Sequence, residues 1–428
     1  MRSLFSTKRE MLLTSTLTLL CLQLAFTALL FLSGQVPVAS QVTALEKAVA
    51  SGELSNNYPK TFGDTRLDGY TECLALTVNV DGGRYDSNFD RIVSAPKLNG
   101  CKALNTWIES GSSELTNASY YRYWNGHVVL LPAFTYLGLS AVHLIVALGL
   151  IASLVFAMIQ ISKGIGIMVA ILLLLPVLIT TNFMVTPLAT TQGLSGIMIL
   201  FSGALAAALA RKHGWQGALV ASLIGGAIYN FADLLTTPAL AWALVAFLSS
   251  ATCFVRSGSK ESIRALAASM SGWLIGYGFT WFSRWVLAST VWPWTTVAEN
   301  ISNQVSFRVS GEHEKVEAGF GSASMDNLYY WLNHSILAKG ILFLAVAVFL
   351  IALGFVFRAR SKQMYLGFAA MLIPSVLVFV WYEALSNHSQ IHTFFTYRSI
   401  AIIFGVVFAS SLLIIESARQ QITQAKSN

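Results

Sequence analysis

Charged residues are scarce in this chain of 428 residues: they make up 11% of the sequence, against 55% hydrophobic residues. A typical soluble domain is about 25% charged, so this composition excludes an ordinary soluble protein. The chain has fewer acidic residues (20) than lysines and arginines (27). The basic residues are not gathered on one polar domain, which excludes the footprint of a nucleic-acid binder. We therefore expect a membrane protein whose partners do not include nucleic acid.

Several motifs of soluble catalysis are also absent. The sequence has no GxxxxGK[ST] phosphate loop, no GxSxG nucleophile elbow and no HExxH zinc motif, which removes support for ATP-driven chemistry, a serine hydrolase and a zinc protease. No repeat period is found. No cofactor is required by any motif, and the sequence predicts no permanent metal. His388 and His392, four residues apart, leave a divalent cation open.

What the sequence has is apolar runs of about 20 residues, the length that crosses a bilayer as a helix. The excess of lysine and arginine in alternate loops predicts that both termini are cytoplasmic. The first run is longer than a signal-peptide core, so we expect an uncleaved anchor. The fold class predicted is an all-α polytopic membrane protein with about ten spans, near 11–33, 138–160, 164–182, 194–210, 217–234, 238–255, 265–288, 337–357, 364–382 and 399–415.

Polar stretches divide the chain into five regions. We expect a cytoplasmic tail and first helix in 1–33, an outer segment in 34–126, a helix bundle in 127–290, a second outer segment in 291–336, and terminal helices with a cytoplasmic tail in 337–428. Cys73 and Cys101 both fall in the first outer segment, where an oxidising compartment permits a disulfide. We predict that they are bonded.

That segment also contains the candidate catalytic acids. In TRLDGYTECLAL, Asp68 and Glu72 are four residues apart, so on a helix they share one face. A carboxylate partly desolvated at the membrane surface has a raised pKa and can act as a general base. The alternative is a solvated acidic face on an amphipathic helix.

Other ionisable residues lie at the ends of apolar runs, where they are functional candidates. The alternative for each is a buried structural ion pair. We consider as substrate-binding candidates Arg122 and His127 in YYRYWNGH, Asp233 in NFADLLTTP, Arg284 in GYGFTWFSRW, and His388, His392, Tyr397 and Arg398 in NHSQIHTFFTYR.

These four phrases, with an acid soon after the first span in RLDGYTEC, resemble the bacterial membrane glycosyltransferases of the GT-C class, and within it the type IV pilin arabinosyltransferases. The chain lacks the large C-terminal outer domain of many oligosaccharyltransferases and mycobacterial arabinosyltransferases. The resemblance implies a multi-pass protein of the bacterial cytoplasmic membrane. It would move a sugar, with arabinofuranose as one candidate, from a polyprenyl-phosphate carrier to a glycan, lipid or protein acceptor of the cell envelope.

The resemblance also implies roles for the candidate residues. Asp68 would be the base, with Glu72 as its alternate or positioning partner. Arg398, His388 and His392 would hold the phosphate, with help from Arg122 or Arg284. The alternative function is a secondary transporter or lipid flippase, for which a site near the bilayer midplane is expected.

Overall fold

A computed structural model describes residues 4–55, 60, 65–80, 84–110, 118–310 and 313–427. Helices dominate this part of the chain, because a helix satisfies every backbone polar group without water. The elements of segment 34–126 are α2 (Val38–Ala50), α3 (Gly69–Leu76), α4 (Asn88–Ser94), β1 (Pro96–Lys97), α5 (Gly100–Ser110) and β2 (Ala118–Ser119). A 3-10 turn (Gly126–Leu130) and the short helix α6 (Leu131–Leu137) follow.

The remaining elements form the bundle and its connections. They are α1 (Lys8–Ser33), α7 (Leu139–Ile165), α8 (Ile167–Thr180), a 3-10 turn (Phe183–Leu188), α9 (Thr190–Ala232), α10 (Pro238–Ser257), α11 (Ser259–Ala288), α12 (Trp294–Ser310), α13 (Ser322–His334), α14 (Ala338–Ala359), α15 (Lys362–Ala384), α16 (Ser386–Ile391), α17 (Thr393–Thr396) and α18 (Arg398–Ser427). The two strands pair antiparallel, with Pro96 opposite Ser119.

Seven helical stretches of the described chain are long and apolar enough to cross a membrane: α1, α7, α9, α10, α14, α15 and the run Thr393–Gln424. An all-α multi-pass membrane fold is therefore confirmed. The number of about ten spans stays a prediction. In the centre of the bundle, α10 has 94% of its apolar window buried, whereas α14 has 17%. The exposed apolar side of α14 is the surface expected to face lipid.

Two of the expected spans fall inside α9, which is 43 residues long but not one rod. Gly214 has φ 61° and ψ −141°, a conformation that glycine adopts without the steric cost paid by other residues. A Cβ built on Gly225 would lie 3.1 Å from the Cβ of Ser202, so positions about equally far from Gly214 on either side are neighbours. The element is therefore a helical hairpin that reverses direction at Gly214.

Segment 34–126 packs against one end of the bundle, which we call the loop end. It is fixed there by long-range hydrogen bonds: the Thr190 backbone N–H donates to Glu72 at 2.6 Å, and Arg284 Nη2 donates to the Val93 carbonyl at 2.6 Å. The predicted disulfide is also present. Cys73 in α3 is bonded to Cys101 in α5, with their Cα atoms 5.0 Å apart. Segment 34–126 thus forms a cross-linked cap over the helix ends.

Candidate functional site

A cavity of about 370 Å³ lies at the loop end, between segment 34–126 and the chain around α16. We call it the basic cavity. Its walls come from six separate parts of the sequence, among them α3, the end of α12 and the turn after α9. Its charged and imidazole lining residues are Asp68, Lys97, Arg122, Arg308, Lys315, His388 and His392. Aromatic side chains, including Tyr120 and Phe395, complete the lining.

Asp68 is the carboxylate of this lining. It caps the N-terminus of α3, where it accepts a hydrogen bond from the Thr71 backbone N–H at 3.0 Å and another from the Thr71 hydroxyl. Only 3% of its surface is exposed. Burial raises the pKa of Asp68 above its usual value of 3.8, which makes the carboxylate a stronger base than an exposed aspartate.

Glu72 does not line the basic cavity. It accepts hydrogen bonds from the Thr190 backbone N–H at 2.6 Å, the Thr190 hydroxyl at 2.5 Å and His143 Nε2 at 3.3 Å. The expectation that Asp68 and Glu72 share one helical face is wrong, because Asp68 precedes the helix with φ −91° and ψ 87°. Glu72 therefore links α3 to the membrane helices α7 and α9.

Two cationic side chains lie over the ring of Tyr120. The Arg122 guanidinium lies 4.5 Å from the ring centroid and Lys97 Nζ lies 4.8 Å from it. Burial, with a smaller contribution from Arg122, lowers the pKa of Lys97 to about 8. Arg122 also lies 5.4 Å from the centroid of Tyr123. The aromatic faces stabilise these cations by cation–π attraction, and carboxylates are not needed to hold them.

Arg308 is held beside Tyr123 by hydrogen bonds. Its Nη2 donates to the Tyr123 hydroxyl at 2.6 Å, and its Nη1 donates to His388 Nδ1 at 2.8 Å. His388 Nε2 lies 2.8 Å from the Leu235 carbonyl, which can only accept, so the His388 proton is on Nε2 and Nδ1 is free to accept. His388 therefore orients Arg308.

Neither histidine supplies positive charge to the cavity. Burial first, and Arg308 second, lower the pKa of His388 well below its usual range, and the same two causes lower the pKa of His392 to about 4. The two rings lie 4.7 Å apart. Both imidazoles are neutral near pH 7. The positive charge of the cavity therefore comes from its lysines and arginines, and not from the two histidines as we expected.

The cations of the cavity have no carboxylate partners. The ion pairs of the described residues are His143–Glu72 and Arg264–Glu261, so none of these cations lies within salt-bridge distance of an acid. Lys97 Nζ instead contacts the amide oxygen of Asn99 at 2.5 Å. Within the described ranges, no three His, Cys, Asp or Glu side chains are grouped so that they could hold a metal ion. Four unpaired cations against one carboxylate make this cavity suited to a polyanion.

Arg398 and Tyr397 do not line the cavity. Arg398 Nε donates to Asn182 Oδ1 and Nη2 donates to Gln192 Oε1, both at 2.6 Å. The Tyr397 hydroxyl donates to the same Asn182 oxygen at 3.1 Å. These buried contacts fasten the start of α18 to the connection between α8 and α9. The Arg398 guanidinium, which we expected to bind phosphate, is instead hydrogen-bonded to the side-chain amides of Asn182 and Gln192.

Three more candidates also lie outside the lining. Arg284 donates from Nε to the Tyr123 carbonyl at 2.9 Å, and so fixes the backbone of a cavity residue. Asp233 accepts from Ser195 at 2.6 Å and from the Thr236 N–H at 2.8 Å, which holds the turn that carries Thr236 into the lining. His127 is buried in its 3-10 turn. Arg284 and Asp233 shape the cavity from behind.

Sequence reasoning missed three of the four cations, namely Lys97, Arg308 and Lys315. Each lies in one of the two polar outer segments, 34–126 and 291–336, where a lysine or arginine is ordinarily solvated. Arg308 had one available signal, since α12 places it in the last turn of an otherwise uncharged C-terminal half, QVSFRVS. Comparison of the chain with family models, with curated proteins and with solved structures gives no match.

Proposed function

We propose that the protein is a membrane glycosyltransferase that moves a sugar from a polyprenyl-phosphate carrier to an acceptor of the cell envelope. One observation carries the proposal: a buried carboxylate, Asp68, shares one cavity with four cations that have no acidic partner. Sugar transfer needs a base for the acceptor hydroxyl and positive charge for the departing phosphate. The basic cavity contains both.

The reaction assigns a role to each group. Asp68 takes the proton of the acceptor hydroxyl as its oxygen forms a bond to the anomeric carbon. The bond from that carbon to the phosphate oxygen breaks, and its electron pair leaves with the phosphate. Arg122, Arg308 and Lys315 stabilise the charge that develops there. His388 keeps the Arg308 guanidinium in place through the 2.8 Å hydrogen bond to Nδ1.

The position of the cavity supports a transferase over a transporter or lipid flippase. The lining residues of the basic cavity lie in segment 34–126, in the turn after α9, at the end of α12 and just beyond it, and in and between the short helices α16 and α17, whereas transporters bind near the bilayer midplane. The finer form of the proposal has ten spans, both termini in the cytoplasm of a bacterium, and the cavity at the outer leaflet. The acceptor is a glycan, lipid or protein, and arabinofuranose is a candidate sugar.

Substitution of Asp68 by asparagine tests the proposal. The side chain keeps its shape and can still accept from Thr71, but it is no longer a base, so transfer of radiolabelled sugar from the carrier should fall by about 10² or more. Carrier binding should stay near the wild-type level. Asp86→Asn is the matched control, because Asp86 is exposed in the same segment. Wild-type transfer by a well-expressed Asp68→Asn protein would sink the assignment.

A further inference from the structure

We infer that the basic cavity is built for a diphosphate, so that the donor is a polyprenyl-diphosphate-linked saccharide rather than a monophosphate-linked one. This inference rests on the proposed function and names its substrate class. The observation behind it is the number and arrangement of the cations, which exceeds what one phosphoryl group can use.

The cations form a row along two tyrosine rings. Lys97 and Arg122 lie 4.8 and 4.5 Å from the centroid of Tyr120. Arg122 and Arg308 lie 5.4 and 5.8 Å from the centroid of Tyr123. Lys315 lines the same cavity, where it and Arg308 both act electrostatically on His392. A row of positive groups fits two linked phosphoryl groups side by side, with each guanidinium able to bind two oxygens.

The balance of charge leads to the same conclusion. With neutral histidines, the lining has four cations and one carboxylate. A monophosphate diester brings about one negative charge and leaves an excess of about two positive charges among these cations, of which Lys97 is buried, and an uncompensated buried charge is costly. A diphosphate diester brings about two. When the sugar leaves, the polyprenyl diphosphate gains about one negative charge, since terminal phosphates carry about −1.5 to −2 near pH 7. Asp68 loses its own charge at the same time by taking the proton, so the excess stays at about one positive charge throughout the transfer.

The transfer step balances without a further reactant. The bond between the anomeric carbon and the terminal phosphoryl oxygen breaks, and its electrons stay on the diphosphate. The acceptor oxygen forms the new bond and loses its proton to Asp68. The charge created on the leaving group thus appears beside the cations. The cations therefore stabilise the charge that develops on the leaving diphosphate.

Binding measurements on the purified full chain in nanodiscs test the inference. Farnesyl diphosphate, farnesyl monophosphate, inorganic pyrophosphate and uridine diphosphate are compared by titration calorimetry. We expect farnesyl diphosphate to bind at least about tenfold more tightly than the monophosphate, the effect of an additional charge-assisted contact. Equal affinities for the two farnesyl compounds would overturn the inference. Tighter binding of uridine diphosphate than of farnesyl diphosphate would overturn the lipid source and assign the cavity to a nucleotide.

Lys315→Ala is the informative variant, because Lys315 is exposed at the rim and is not needed for packing. It should remove most of the preference for diphosphate over monophosphate. Lys102→Ala, at another exposed lysine of segment 34–126, should leave that preference unchanged. A preference that survives Lys315→Ala argues against the row of cations as its origin.

A transfer assay with both donors separates this inference from the proposed function. Transfer from the diphosphate-linked donor alone supports both. Transfer from the monophosphate-linked donor alone overturns the inference and leaves the proposed function standing. Absence of transfer from either donor, together with tight diphosphate binding, overturns the proposed function and supports the diphosphate site.

Discussion

Replacement of Glu72 by alanine separates a structural acid from a catalytic one. The Glu72 carboxylate accepts from the Thr190 backbone N–H at 2.6 Å and from the Thr190 hydroxyl at 2.5 Å, both buried. Alanine leaves these two donors without a partner. A buried unsatisfied donor costs about 1–3 kcal/mol, so the free energy of unfolding should fall by about 2–6 kcal/mol. Glu72→Gln keeps one acceptor oxygen and should lose about half as much.

The assay is thermal unfolding in detergent, followed by tryptophan fluorescence, beside transfer measured per folded molecule. Glu72→Ala should unfold several degrees below the wild type while its folded fraction keeps near wild-type transfer. Glu109→Ala, an exposed acid of α5, is the control and should change neither. Wild-type stability with lost transfer would refute the structural reading and make Glu72 a second carboxylate of the chemistry.

Three other predictions concern charge, cross-linking and topology. Because the pKa of Lys97 is lowered to about 8, kcat/KM for the donor should fall as the pH rises through about 8, where the lysine loses its proton. Lys97→Arg should abolish this fall in the pH profile. A fall that is unchanged in the variant would exclude Lys97 as its source. Replacing Cys73 and Cys101 by serine opens a cross-link between positions 28 residues apart and should cost about 3–4 kcal/mol in the chain-entropy model, measured by thermal unfolding; freely alkylated thiols in the wild type would contradict the bond. Reporters fused after residue 110, after residue 361 and at the C-terminus should read periplasmic, cytoplasmic and cytoplasmic, and a periplasmic signal at 361 would break the ten-span topology.

The sequence allowed the helical membrane fold and the disulfide to be predicted, because apolar run length and cysteine placement depend on local composition. It also singled out Asp68, Arg122, His388 and His392, which the structure brings into one cavity. Arg122, His388 and His392 could be singled out because each is an ionisable residue near a long apolar run, and Asp68 because it is an acid of the first outer segment, four residues from Glu72.

The same reasoning failed where a buried cation is satisfied by neutral groups. Arg398 binds two amide oxygens and Arg284 binds two backbone carbonyls, and neither partner can be read from sequence spacing. Conversely, Lys97 and Arg308 resemble solvated surface residues until the fold places them on tyrosine rings. Whether a charged side chain turns towards a cavity or towards water is decided by tertiary packing.

The distribution of the cavity walls along the chain has a consequence for biogenesis. Asp68 and Lys97 are synthesised early, whereas His388 lies just before the last spanning run and Phe395 lies near the start of that run. The part of the cavity that segment 34–126 forms is therefore completed only after almost the whole protein has been synthesised. A chain that stops before α16 lacks His388, His392 and Phe395 and therefore has an incomplete cavity. The basic cavity is therefore complete only when nearly the whole chain has been made, so a ligand of this cavity can be held only by a nearly complete protein.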